Sequence, residues 1–132
     1  MPGSIQVLTI AQEVLANRGF PDIGKTMNLV AGNLPRNQAG AMLFGTSNTS
    51  WNGLRLPYDL RPLGAPGCRL YTGINATIPL STGTGTATLP VRIPNNRSLI
   101  GGGFFTQYAN VDRGANAGGL TTTNGGKVTI GD

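Results

Sequence analysis

The side chains able to do chemistry in this chain are few and widely spaced. Its carboxylates are Glu13, Asp22, Asp59, Asp112 and Asp132, and it has no histidine. General acid–base catalysis needs two poised groups close together, usually histidine or paired carboxylates. Asp59 and Asp112 could approach each other in a folded chain, yet both sit where turns and strand ends call for hydrogen-bond acceptors. Cys68 is the single cysteine. It has no partner for an internal disulfide and no histidine to make it a nucleophile. It reads as a small buried apolar residue, with a bridge to another chain as the alternative.

Metal and phosphate chemistry fare no better. One cysteine without histidine excludes the usual zinc sites, and no Asp-x-Asp pattern builds the oxygen cage that calcium prefers. Gly24-Lys25-Thr26 lacks the upstream glycine of a phosphate loop, and no Gly-x-Gly-x-x-Gly run opens a helix. The chain is expected to have no catalytic residues, metal or cofactor, and not to be an enzyme. Binding chemistry is better represented. Trp51, Tyr58 and Tyr71 could stack on the apolar faces of sugar rings; alternatively, the tyrosines pack at sheet margins and Trp51 plugs a loop.

The elements that must position these residues are strands. The 132 residues include 21 glycines and 9 prolines, which cut the chain into short alternating runs. Ile5 to Ile10 is expected to be the first strand, and Ala11 to Ala16 a helical turn. In Lys25 to Ala31, Met27, Leu29 and Ala31 share one face. Gly40 to Gly45 is apolar enough to be buried on both sides. Thr46 to Gly53 reads as a polar loop and Leu54 to Leu60 as extended chain. Ile78 to Thr82 and Thr86 to Ile93 read as a hairpin around Gly83-Thr84-Gly85. Phe104 to Val111 and Lys127 to Ile130 complete the set. About eight short strands at near-regular spacing predict an all-β, antiparallel β-sandwich, Greek-key or jelly-roll-like. Residues 1–19 form an N-terminal strand and extension open to intermolecular pairing, and 20–132 the sandwich.

Charge bounds the partners. Ten Lys+Arg against five Asp+Glu leave a net +5, but the cations are scattered, so nucleic acid is not an expected partner. Folding could still gather Arg55, Arg61 and Arg69 on one surface. Only 11% of residues are charged, against roughly 25% in an average domain. Such surfaces suit extracellular β-proteins and subunits that bury themselves in assemblies. No apolar stretch reaches the roughly 20 residues that span a bilayer, so no membrane insertion is expected. Ile5 to Ile10 is too short and polar for a signal-peptide core, which suggests a mature form or an excised domain.

Six blocks occur in an order that resembles a known module. They are Pro21-Asp22-Ile23-Gly24, Leu56 to Cys68, Leu89 to Gly101, Phe104 to Ala109, Asp112-Arg113-Gly114-Ala115, and Thr123 to Gly131. Together they resemble a β-sandwich module found at the C-termini of secreted proteins from planctomycetes and similar bacteria. The resemblance covers residues 20 to 131. It departs at the N-terminus, where that family carries a second cysteine able to pair with the Cys68 position. It implies an extracellular, non-catalytic accessory module and transfers no catalytic or ligand-binding residue.

These readings converge on a structural module, extracellular or at the cell surface, that self-associates or joins other extracellular proteins. The N-terminal strand, through Ile5, Val7, Leu8 and Ile10, could add to a neighbour's sheet edge and build a filament or surface-layer-like array. The alternatives are a carbohydrate-binding or adhesion module with polysaccharide as partner, and a virion coat or decoration subunit.

Overall fold

Apolar residues at every second position decide which faces of this chain meet. The computed structural model describes residues 3–7, 14–112, 114 and 116–132. It is all-β, 44% strand and 5% helical, with antiparallel sheets. In chain order the strands are β1 (Ser4–Val7), β2 (Val14–Arg18), β3 (Thr26–Gly32), β4 (Gly40–Gly45), β5 (Ser50–Trp51), β6 (Leu54–Arg55) and β7 (Tyr58–Asp59). They continue with β8 (Arg69–Leu70), β9 (Ala76–Pro79), β10 (Ala87–Arg92), β11 (Gly103–Val111), β12 (Leu120–Thr122) and β13 (Gly126–Thr129).

Two main sheets form. The larger runs β1-β13-β11-β4-β9, with β12 also paired to β11; the smaller runs β10-β3-β2. Their facing sides hold the core. Leu15 of β2, Met27, Leu29 and Ala31 of β3 and Ala87 of β10 pack with Met42 of β4, Tyr108 of β11 and Val128 of β13. Burying one such leucine or methionine contributes about 1.5–3 kcal/mol. The pattern in β3 and β10 follows the sequence, with Thr88, Pro90 and Arg92 exposed opposite Ala87, Leu89 and Val91.

The larger sheet is covered on its outer face too. Between β4 and β9 the chain swings across that face, where Leu56, Leu60, Ala65 and Leu70 bury against Leu43. β4 therefore gives Met42 to one core and Leu43 to the other.

Two expectations change. Ala11 to Ala16 is not a helical turn where it is described: Val14 to Arg18 is β2, because it ladders onto β3 and buries Leu15 between the sheets. The arms around Gly83-Thr84-Gly85 do not pair as a hairpin. β9 pairs with β4 and β10 with β3, so the chain crosses from one sheet to the other there. The crossing runs beside the β3–β4 crossing and is laced to it. Leu34 N–H donates to Gly85 O at 3.0 Å, Asn37 N–H to Gly83 O at 2.8 Å, and Thr82 N–H to Gln38 O at 2.9 Å. The N-terminal strand β1 lies along β13 of the same chain, Ser4 opposite Thr129 through Val7 opposite Gly126.

Candidate functional site

The cover over the outer face positions two of the three candidate aromatics. Asn52 and Gly53 both take positive φ, 48° and 81°. This is the two-residue turn that joins twisted antiparallel strands, and it sets Trp51 directly opposite Leu54. Opposite residues share a face, so both turn inward. Tyr58 stands opposite Leu70 by the same logic. Next comes a 3-10 turn over Arg61–Leu63, closed by Gly64 at φ 83°. The Asp59 carboxylate caps it, accepting Arg61 N–H at 2.9 Å.

Gln107 fixes the cover to the sheet. Its Oε1 accepts Tyr71 N–H at 2.9 Å, and its Nε2 donates to Arg69 O at 2.7 Å and Thr123 O at 2.8 Å. A pocket of about 340 Å³ remains between cover and sheet. Leu43 and Ala109 come from the sheet and Leu120 and Thr122 from β12, while Trp51, Leu54, Tyr58, Leu60, Leu63, Leu70 and Ile74 come from the covering chain. Every atom facing this space is apolar. Tyr71 is not part of its wall; its backbone is held by Gln107 instead.

The N-terminal strand has a built seat. Gly3 N–H donates to the carboxylate of Asp22, which is only 3% exposed. A Cβ at Gly3 would lie 2.6 Å from both Pro21 Cγ and Thr129 O, so only glycine fits without displacement. Ile5 and Val7 lie on β1, opposite Val128 and Gly126. Leu8 and Ile10 lie outside the described residues.

The remaining candidates have structural surroundings. Asp59 caps the 3-10 turn, and Asp112 starts a loop in which its N–H donates to Gly119 O at 2.8 Å. Glu13 lies outside the described residues. Cys68 is half-buried against the cover's core, its Sγ 3.7 Å from Leu120 O. Among the described residues no group of three or more His, Cys, Asp or Glu side chains comes together. Arg55, Arg61 and Arg69 all lie on the cover and are exposed.

No family model matches the chain, and comparison with curated proteins and solved structures finds no match. Backbone hydrogen bonds join three of the sequence blocks, 21–24, 89–101 and 123–131. Ile23 N–H donates to Gly131 O at 3.0 Å, Gly131 N–H to Pro21 O at 3.1 Å, and Gly24 N–H to Ile93 O at 2.9 Å.

Sequence reasoning missed the polar residues that join these parts. Asn124 reaches β2, its Oδ1 accepting Leu15 N–H at 2.9 Å and its Nδ2 donating to Leu15 O at 3.3 Å. Thr123 Oγ1 accepts Tyr108 N–H at 3.0 Å where β12 gives way to β13. Gln107 carried a faint signal, as an amide in the middle of an aromatic strand. The Asn52-Gly53 turn carried a strong one, an Asn-Gly pair preceded by tryptophan and followed by leucine.

Proposed function

We propose that this chain is a non-catalytic, extracellular structural module that assembles with copies of itself by exchanging β1. The observation that carries the reading is the seat of that strand. β1 is a four-residue edge strand, yet Gly3, just before it, enters a slot that only glycine fits and meets a buried carboxylate. A seat this selective suits recognition of one segment, from the same chain or a neighbour. Two other edges resist addition. β9 carries Pro79 and β10 carries Pro90, both on outer strands, and proline is tolerated only where its missing N–H faces away from the ladder. An open head-to-tail exchange of β1 builds a filament. The low charge and the order of the sequence blocks support an extracellular setting.

The test is solution mass across a concentration series, by light scattering with negative-stain microscopy. The full chain is expected to form multimers. A chain lacking residues 1–12 is expected to stay folded and monomeric, and to take up one synthetic 1–12 peptide per molecule. A full chain that is monomeric throughout, or a truncated chain that assembles equally well, would overturn strand exchange. The carbohydrate reading is weaker, because the wall shared by Trp51 and Tyr58 turns no polar atom inward to recognise sugar hydroxyls.

A further inference from the structure

We infer that the pocket under Trp51 is a binding site for a small uncharged hydrocarbon with a two-ring body. The site is remote from β1 and does not depend on strand exchange. Its volume is about 340 Å³, a little over twice the roughly 150 Å³ of an apolar cavity that stays dry and takes up benzene. Water is a poor occupant here. A held water needs about two to four polar partners, and every atom facing this space is apolar. Atoms lining an unfilled apolar space forgo dispersion contacts, so a guest without polar groups gains those contacts and gives up no hydrogen bond in leaving water. Trp51 and Tyr58 in the wall favour a ring, which can pack against them face-on or edge-on.

The polar groups near the walls are committed elsewhere. Thr122 is a wall residue, and its hydroxyl donates to Arg69 O at 3.3 Å. Gln107 uses its amide on Tyr71, Arg69 and Thr123. Charge is turned outward. Trp51 stands opposite Leu54 and Tyr58 opposite Leu70, and all four line the pocket. Successive residues of a strand point to opposite faces. The next pairs, Ser50 with Arg55 and Asp59 with Arg69, therefore point away from it. No charged residue is among the described wall residues. An ion would leave water and meet no partner, which is why the ligand is uncharged.

The space is braced, not left over from loose packing. Leu63 lies on the 3-10 turn that Gly64 closes. Gly118 N–H donates to Gly64 O at 2.8 Å, and a Cβ on Gly64 would come within 2.6 Å of Gly118 N. The turn is thus clamped, glycine to glycine, onto the chain between β11 and β12. At its base Leu60 N–H donates to Cys68 O at 3.0 Å and Ala65 N–H to Leu60 O at 3.2 Å. This frame holds Leu63 at the rim, where it is a wall residue yet 61% exposed, against 6% for Leu60. Pockets for small molecules are usually pre-formed in this way.

The probe is naphthalene, with 1-naphthoate and 1-naphthylmethylammonium as its charged counterparts. Equilibrium dialysis of the full chain reads uptake whether or not copies associate. Trp51, the only tryptophan, reports where the probe sits. Naphthalene is expected to saturate at one molecule per chain with a blue shift of Trp51 emission. Both ions are expected to bind more weakly, by about tenfold or more. Ala109→Leu, which fills the floor, is expected to weaken naphthalene about tenfold. Leu63→Lys changes an exposed position, so it keeps its fold even if Ala109→Leu does not, and should make naphthoate bind more tightly than the cation. Arg55→Gln combined with Arg69→Gln should change none of the three affinities. Uptake that never saturates, or unaltered naphthalene binding in a folded Ala109→Leu chain, would overturn the pocket. So would a Leu63→Lys chain without the naphthoate preference. Naphthoate that binds as tightly as naphthalene, or that weakens in the arginine variant, would overturn the uncharged ligand.

Discussion

Gln107 and Thr106 are neighbours on β11, both fully buried, and they face opposite sides of the larger sheet. Gln107 makes three hydrogen bonds to the backbones of Tyr71, Arg69 and Thr123. Thr106 Oγ1 has no partner among the described residues. The two positions should therefore respond with opposite sign. Gln107→Leu strands the Tyr71 N–H and the Thr123 carbonyl, while Arg69 O keeps the Thr122 hydroxyl, and should cost on the order of 2–4 kcal/mol in urea unfolding. It should also loosen the cover, seen as a red shift of Trp51 emission before the global transition. Thr106→Val keeps the shape and removes an unsatisfied hydroxyl, and should leave stability unchanged or raise it by up to about 1 kcal/mol. A clear loss in Thr106→Val would mean that its hydroxyl has a partner in solution.

The strands divide into those that alternation specifies and those it does not. β3 and β10 were legible because in each one face is buried more deeply than the other, so Met27, Leu29 and Ala31 announce the core directly. The segment at Gly83-Thr84-Gly85 was misread because a tight hairpin and a crossing between sheets need the same glycines. Local turn chemistry cannot say whether the next strand returns to the same sheet. Available edges decided it: β4 offered one edge to β9, and β3 offered one to β10. Prolines on both newcomers then shield the outer edges. Pro90→Thr restores a donor on the outer edge of β10, and is expected to leave the melting temperature within a few degrees while increasing sheet-type aggregation at high concentration. Thioflavin fluorescence and light scattering would show it, and unaltered behaviour would mean that Pro90 does not protect that edge.

At the scale of the whole molecule, one sheet serves two cores. The inner face of β4 and β11 meets the smaller sheet through Met42 and Tyr108. The outer face meets the irregular cover through Leu43 and Ala109. The Tyr108 hydroxyl donates to Leu80 O and so ties the central strand to the β9–β10 crossing. This division separates the two proposed activities. The β1 seat lies along β13, which pairs with β11 from Gly103 to Thr106, whereas the pocket floor is at Ala109. Strand exchange can therefore fail its test without touching the pocket, and the converse holds as well.

Several properties were already determined by the sequence. Gly and Pro spacing with two-residue alternation required an all-β chain, since no other element buries every second residue. Composition removed histidine-dependent chemistry and left Cys68 without an internal partner. Tertiary structure alone decided the pairing of strands far apart in sequence, the docking of residues 46–75 across the outer face, and the convergence of Trp51 and Tyr58 on one wall while Tyr71 stays out. The reason is that alternation specifies which face of a strand is buried but not what buries it. Partner choice depends on free edges, on crossings such as Leu80 to Thr86, and on buried amides such as Gln107 and Asn124, whose acceptors lie in segments that only folding brings near.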